Sequence, residues 1–187
     1  MPLDARALAS EWLSPFASAL SAGDINAVTQ SLLPDGWLRD VLVFTWDLRS
    51  LEGHDKVASY LVDTLANACI TDVILNDAAD FAPQVFTWPQ LQATGVELAF
   101  TFECRHGHGR GFARLLRDSD GVFKAYTLLT ELADLVGHEE LGTLRFRDDL
   151  AGRAEGARPI PIEQLHDAFA KWTAEVETNP YALIGKV

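Results

Sequence analysis

The sequence predicts an α+β domain in which three N-terminal helices cover one face of a curved antiparallel sheet and enclose an apolar cavity. Two observations carry this expectation. Up to Cys69 the apolar residues recur with helical spacing, interrupted by one aromatic and β-branched stretch, and beyond Thr71 the pattern changes to period two or to short apolar runs. The later runs are joined by short Gly-containing links, so an antiparallel meander is the economical arrangement.

Leu8, Trp12, Phe16 and Leu20 repeat every four residues and lay one apolar stripe along a first helix, expected to bend or restart at Pro15 and to close at Gly23. Asp24 is placed to cap a short second helix carrying Ile25, Val28, Leu32 and Leu33, with Pro34-Asp35-Gly36 as the turn that stops it. The run from Trp37 to Leu48 reads as the first strand, ended at Glu52-Gly53. A third helix follows, with Val57, Tyr60, Leu61, Thr64, Leu65 and Cys69 on one face and His54 or Asp55 capping its start. Strands are then expected over Thr71 to Leu75, Val85 to Trp88, Thr94 to Cys104, Arg110 to Arg117 and Val122 to Leu132. The last three are linked by His106-Gly107-His108-Gly109 and by Asp118-Ser119-Asp120-Gly121. Residues 1–134 make this domain, whereas residues 135–187 lose periodicity and read as a wrap or linker with a helix near 162–177 bearing Leu165, Phe169 and Trp172.

A chain of 187 residues suits one core, and 48% apolar with 22% charged residues argues against a disordered or fibrous protein. The net charge of -12 would repel a phosphate backbone and the 15 Lys and Arg are scattered, so nucleic acid is not an expected partner. Nowhere do about 18 consecutive apolar residues occur, and Asp4, Arg6 and Glu11 interrupt any signal-peptide run at the start. A cytoplasmic location without membrane insertion is therefore expected. Cys69 and Cys104 lack C-x-x-C spacing and have apolar neighbours, which favours two reduced core thiols over a disulfide or a zinc site.

In a regular first strand Asp40, Leu42, Phe44, Trp46 and Leu48 share one face, so a single carboxylate stands among large apolar side chains. Burial disfavours its charged form and raises its pKa toward the range useful for proton transfer. The alternative is a structural Asp40, held by backbone amides or by an arginine at the cavity rim, or turned outward by a bulge. The opposite face carries Asp47 and Arg49, placed to pair with neighbouring strands or with solvent, so structural salt bridges are expected of them. Trp12, Trp37, Trp46, Phe102 and Phe112 are candidates to bind an apolar substrate, or else core. Tyr126 is a candidate to offer its hydroxyl to a carbonyl oxygen that gains charge. His106 and His108 have no evident third ligand, so no metal is expected, and Asp118-Ser119-Asp120-Gly121 reads as a hairpin turn rather than a calcium loop. No Ser-His-Asp nucleophile motif or phosphate-binding loop is present in the sequence.

The order helix, helix, strand, helix and long-stranded meander resembles the nuclear transport factor 2-like superfamily, which includes steroid isomerases, scytalone dehydratase, SnoaL-like polyketide cyclases and limonene epoxide hydrolase. A closer likeness is to the N-terminal domain of some fungal flavin-containing monooxygenases. It is carried by Asp35-Gly36-Trp37-Leu38-Arg39-Asp40, Thr45-Trp46-Asp47-Leu48-Arg49, Phe123-Lys124-Ala125-Tyr126-Thr127 and Gly137-His138-Glu139-Glu140, over residues 3–150. The resemblance implies a cone-shaped fold, a homodimer formed through an exposed sheet face, and for Asp40 the position of the catalytic aspartate of steroid isomerases. In those monooxygenases a strand leads into a Gly-x-Gly-x-x-Gly turn that receives the flavin pyrophosphate. Here Gly185-Lys186-Val187 closes the sequence, so neither FAD nor NADPH is expected and no cofactor is implied. The expected function is a cofactor-independent isomerase, cyclase or dehydratase of secondary metabolism, in which Asp40 moves a proton on an apolar, carbonyl-containing molecule. The alternative is a non-catalytic ligand-binding or dimerisation module.

Overall fold

The structure is a computed structural model and describes residues 3–138 together with the helical Ala170. The chain divides into two units, Met1–Glu139 and Glu140–Val187, and all the described residues but Ala170 belong to the first. Apart from Ala170, the expected wrap beyond His138 and the helix near 162–177 lie outside the described residues.

Local capping signals set the first two helices. The Asp4 carboxylate accepts from the Ala7 amide at 3.0 Å, and α1 (Ala5–Ala22) continues through Pro15 until Gly23 turns left-handed at φ 68°. Asp24 caps α2 (Ile25–Gln30) in the same way, accepting from the Ala27 amide at 2.9 Å. The second helix stops short of Leu32 and Leu33, which instead open β1 (Leu32–Val41). Pro34-Asp35-Gly36 is therefore not a turn. It is absorbed into a bulge, where the register slips between Leu32 and Trp37. Gly36 permits the close approach this needs, since a Cβ there would lie 2.8 Å from the Ala125 carbonyl oxygen.

The expected strand from Trp37 to Leu48 is also broken. It ends at Val41, Leu42 takes a left-handed φ of 66°, and pairing resumes only in β2 (Leu48–Glu52). Helix α3 (His54–Ala68) follows with Gly53 at its N-cap, so neither His54 nor Asp55 caps it as expected; His54 instead places Nε2 3.0 Å from the Leu32 carbonyl oxygen. The remaining strands are β3 (Thr71–Leu75), β4 (Gln84–Trp88), β5 (Ala93–Cys104), β6 (Gly107–Arg117) and β7 (Phe123–Leu132).

The sheet order is β2-β1-β7-β6-β5-β3, with β4 also paired to β5. The antiparallel expectation needs one correction, because β1 and β7 run parallel. The sheet brings its first long strand beside its last, and whether those two agree in direction depends on the whole intervening chain. Cys104 pairs directly with Gly107, so the β5–β6 turn is only Arg105-His106, and His108 and Gly109 belong to β6.

A column of rings fills the space between helices and sheet. Trp12 stacks on Phe16 at 4.7 Å, Phe16 meets Phe100 edge-on at 6.0 Å, and Phe100 lies 6.1 Å from Phe102. In register, Phe100 faces Gly111 and Phe102 faces Gly109. The rings lie over these glycines so closely that a Cβ at either position would fall 2.1 Å from a ring carbon. Large side chains thus fill this part of the space between helices and sheet. The core-thiol expectation is also corrected, since Cys69 is exposed and Cys104 half-buried, although both are free.

Candidate functional site

Asp40 is completely buried at the end of β1, beside Thr130 of β7 in register. Its Oδ1 accepts from the Val43 amide at 3.2 Å and from the Thr130 hydroxyl at 3.1 Å. Its Oδ2 accepts from the Phe44 amide at 3.3 Å and from the Tyr60 hydroxyl at 2.7 Å. By gathering two successive amides the carboxylate bends the chain back on itself, which is why the strand ends here and why Leu42 tolerates its left-handed backbone. Burial pushes the Asp40 pKa above its ordinary value, and the bonds from Tyr60, Phe44, Thr130 and Val43 draw it part of the way back. Tyr60 is pushed up to about 12, chiefly by burial, so its hydroxyl stays protonated, with Thr45 Oγ1 3.2 Å away.

Both sequence readings of Asp40 thus contain part of the geometry: it is a desolvated carboxylate, and it is held by backbone amides. Among the described residues no arginine bonds to it. Arg39 instead faces outward and donates to Ser50 Oγ at 2.6 Å. The sequence places Tyr60 on the apolar face of the third helix and gives it no role. The available signal was that it is the one phenol on that stripe, but nothing in the sequence aligns that helix face with the end of β1.

The structure scatters the other candidates. Tyr126 lies on the far side of β7 from Thr130, its ring edge-on to Trp88 at 5.6 Å, and does not share a site with Asp40. Trp37 is exposed on the same outer face of the sheet as Phe112, which packs at 5.6 Å from the Arg114 guanidinium. Phe86 and Trp88 flank that guanidinium as well, and its Nε donates to Glu97 at 2.9 Å. Trp46 is exposed in the segment between β1 and β2, against the His106 ring. Asp47 and Arg49 pair with each other at 2.7 Å, exposed to solvent, rather than with a neighbouring strand. Only Trp12 and Phe102 are interior. His108 bonds to Asp134 and lies 3.5 Å from Glu103. Among the described residues no three His, Cys, Asp or Glu side chains are grouped to hold a metal, and no helix is long and apolar enough to cross a membrane.

An open cleft of about 550 Å³ lies between α1, α2 and the β6–β7 turn. Leu8, Trp12, Pro15 and Phe16 line it from α1, Ala27 and Gln30 from α2, and Arg117, Val122, Phe123 and Lys124 from the hairpin. Trp12 is locked in its floor, donating from Nε1 to the Ser31 carbonyl at 2.9 Å. Volume and lining suit a small organic molecule. Sequence reasoning named Trp12 but missed the cleft, because its walls come from segments more than a hundred residues apart.

No protein-family model and no curated protein matches the chain. Solved structures do. A protein from Xanthomonas campestris assigned as a calcium/calmodulin dependent protein kinase II association domain superposes with a TM-score of 0.51 at 14% identity, covering 70% of this chain and 89% of that one. Nuclear transport factor 2 from Cryptosporidium parvum gives a TM-score of 0.49 at 10% identity, over 67% and 92% of the two chains. A ketosteroid isomerase-like protein from Erwinia carotovora atroseptica gives 0.45 at 15% identity, over 68% and 95%. At such identities the likeness concerns the fold alone. The chain shares the α+β fold of the Xanthomonas campestris protein, with helices laid on a curved, unclosed mixed sheet.

Proposed function

We propose that this chain is a small-molecule-binding protein whose ligand lies against Trp12 in the cleft between α1, α2 and the β6–β7 turn. One contrast carries the reading. Asp40 is sealed from solvent with four donors already on its two oxygens, whereas the Trp12 cleft is open, apolar-floored and of ligand size. Such a protein matches the module reading of the sequence, the kind that the motif resemblance places ahead of a flavin domain. Trp37, exposed on the outer sheet face, supports self-association as a homodimer.

Titration with the neutral fluorophore N-phenyl-1-naphthylamine tests the cleft. Binding is expected in the unaltered chain and loss of binding in Ala27→Trp, which fills the cleft from an exposed helical position without touching the core. Equal binding by the two proteins would remove the cleft from consideration.

A second reading, proton transfer by Asp40, is favoured by its raised pKa and the Tyr60 hydroxyl at 2.7 Å. Under it the substrate is an apolar carbonyl compound undergoing isomerisation, cyclisation or dehydration. The Phe100 and Phe102 rings must then swing off Gly111 and Gly109 to admit it.

A further inference from the structure

The geometry points to an apolar, ring-bearing monoanion, a carboxylate or sulfonate, as the ligand class of the Trp12 cleft, with Arg117 as the group that takes its charged end; this rests on the cleft being the binding site. The charges around the cleft are Glu11 on α1 and Arg117 and Lys124 on the hairpin. They are not equivalent. Lys124 Nζ is 3.1 Å from Asp118 Oδ2. The Val122 amide, with help from Lys124, holds the Asp118 pKa below its ordinary value, so the carboxylate stays ionised and the Lys124 charge stays matched. Arg117 has no carboxylate partner among the described residues.

Arg117 is nevertheless fixed in place. Its guanidinium sits 4.6 Å over the Phe123 ring, and Nη1 donates to the Gly121 carbonyl at 3.0 Å. Stacking and one hydrogen bond leave most of its five N–H donors for an incoming acceptor, in a planar fork that fits two oxygens of a carboxylate or sulfonate. Because the side chain is already ordered, little rotamer freedom remains to be lost on binding. On a chain of net charge -12 an unmatched cation beside an apolar floor is a local exception. Leu8 and Pro15, laid over the buried Trp12–Phe16 stack, form the apolar surface on which a ligand ring can lie. Glu11 approaches from the helix side, so the anionic end belongs at the hairpin and the ring toward α1.

The test compares two probes with the same ring system, neutral N-phenyl-1-naphthylamine and anionic 8-anilino-1-naphthalenesulfonate, titrated against the full chain and against Arg117→Gln and Lys124→Gln. The anion is expected to bind the unaltered chain about tenfold more tightly than the neutral probe, as one charge-assisted contact warrants. Arg117→Gln should erase that preference without weakening the neutral probe, Lys124→Gln should leave most of it, and added salt should weaken only the anion. Equal affinities in the unaltered chain, or a preference that survives Arg117→Gln, would overturn the anion assignment while the cleft stands. Failure of both probes to bind, or binding unaffected by Ala27→Trp, would overturn the cleft and the assignment together.

Discussion

Replacing Asp40 with asparagine keeps the side chain's shape and changes one oxygen into a donor. Either orientation of the amide meets donors on both sides. If the new NH2 takes the place of Oδ2, Tyr60 can turn its hydroxyl toward Thr45 Oγ1, but the Phe44 amide loses its acceptor. If it takes the place of Oδ1, the Thr130 hydroxyl can turn, but the Val43 amide is stranded. One buried backbone N–H is left unpaired in each case, at a cost of about 1–3 kcal/mol. For a chain of this length that corresponds to a fall of about 3–10 °C in Tm, followed by circular dichroism. The pH dependence follows from the raised pKa. The folded state keeps the Asp40 proton to higher pH than an unfolded chain with the ordinary value of 3.8, so this stabilising contribution is fully present below 3.8 and is lost as pH rises through the folded value. Asp40→Asn lacks that titration, so the gap between the two urea midpoints should narrow as pH rises across the window. An Asp40→Asn protein that melts within about 1 °C of the unaltered chain would refute the anchoring role. Lost turnover with unchanged melting would transfer the case to general-base catalysis, and a gap that widens with pH would show that the four donors outweigh burial.

Gly111→Ala should destabilise the fold by about 1–3 kcal/mol, because its Cβ must displace the Phe100 ring; in a Phe100→Leu background the same change should cost clearly less by urea denaturation, and equal costs would mean the ring is not what Gly111 accommodates. Trp37→Lys, placed on the outer sheet face, should shift the protein from dimer to monomer in sedimentation velocity, and an unaltered chain that sediments as a monomer at micromolar concentration would end the dimer proposal.

Much of the element list was legible because its causes are local. Asp4, Gly23 and Asp24 cap helices through bonds reaching no further than five residues, and the four-residue spacing of Leu8, Trp12, Phe16 and Leu20 needs only helical geometry. The misreadings lie where a distant partner overrides a local cue. Pro34-Asp35-Gly36 looks like a turn in isolation, yet β7 pairs across it and makes it a bulge. The run from Trp37 to Leu48 has unbroken strand propensity, yet the Asp40 carboxylate captures the Val43 and Phe44 amides and ends the strand.

The candidate site divides along the same line. The sequence by itself determined that this is a helices-then-sheet α+β chain, since composition and periodicity act residue by residue. The shared face of Asp40, Leu42, Phe44, Trp46 and Leu48 does not exist, because the strand ends at Val41 and Trp46 and Leu48 are exposed. Only the tertiary structure decided what surrounds the Asp40 carboxylate. Tyr60 and Thr130 reach Asp40 from 20 and 90 residues away, and Tyr126, four residues before Thr130, is lost to the opposite face. Side chains alternate across a strand, and a single bulge changes which of them face inward. Plain alternation along β5 and β6, whose pairing has no register shift, turns Phe112 outward and lays Phe102 over Gly109.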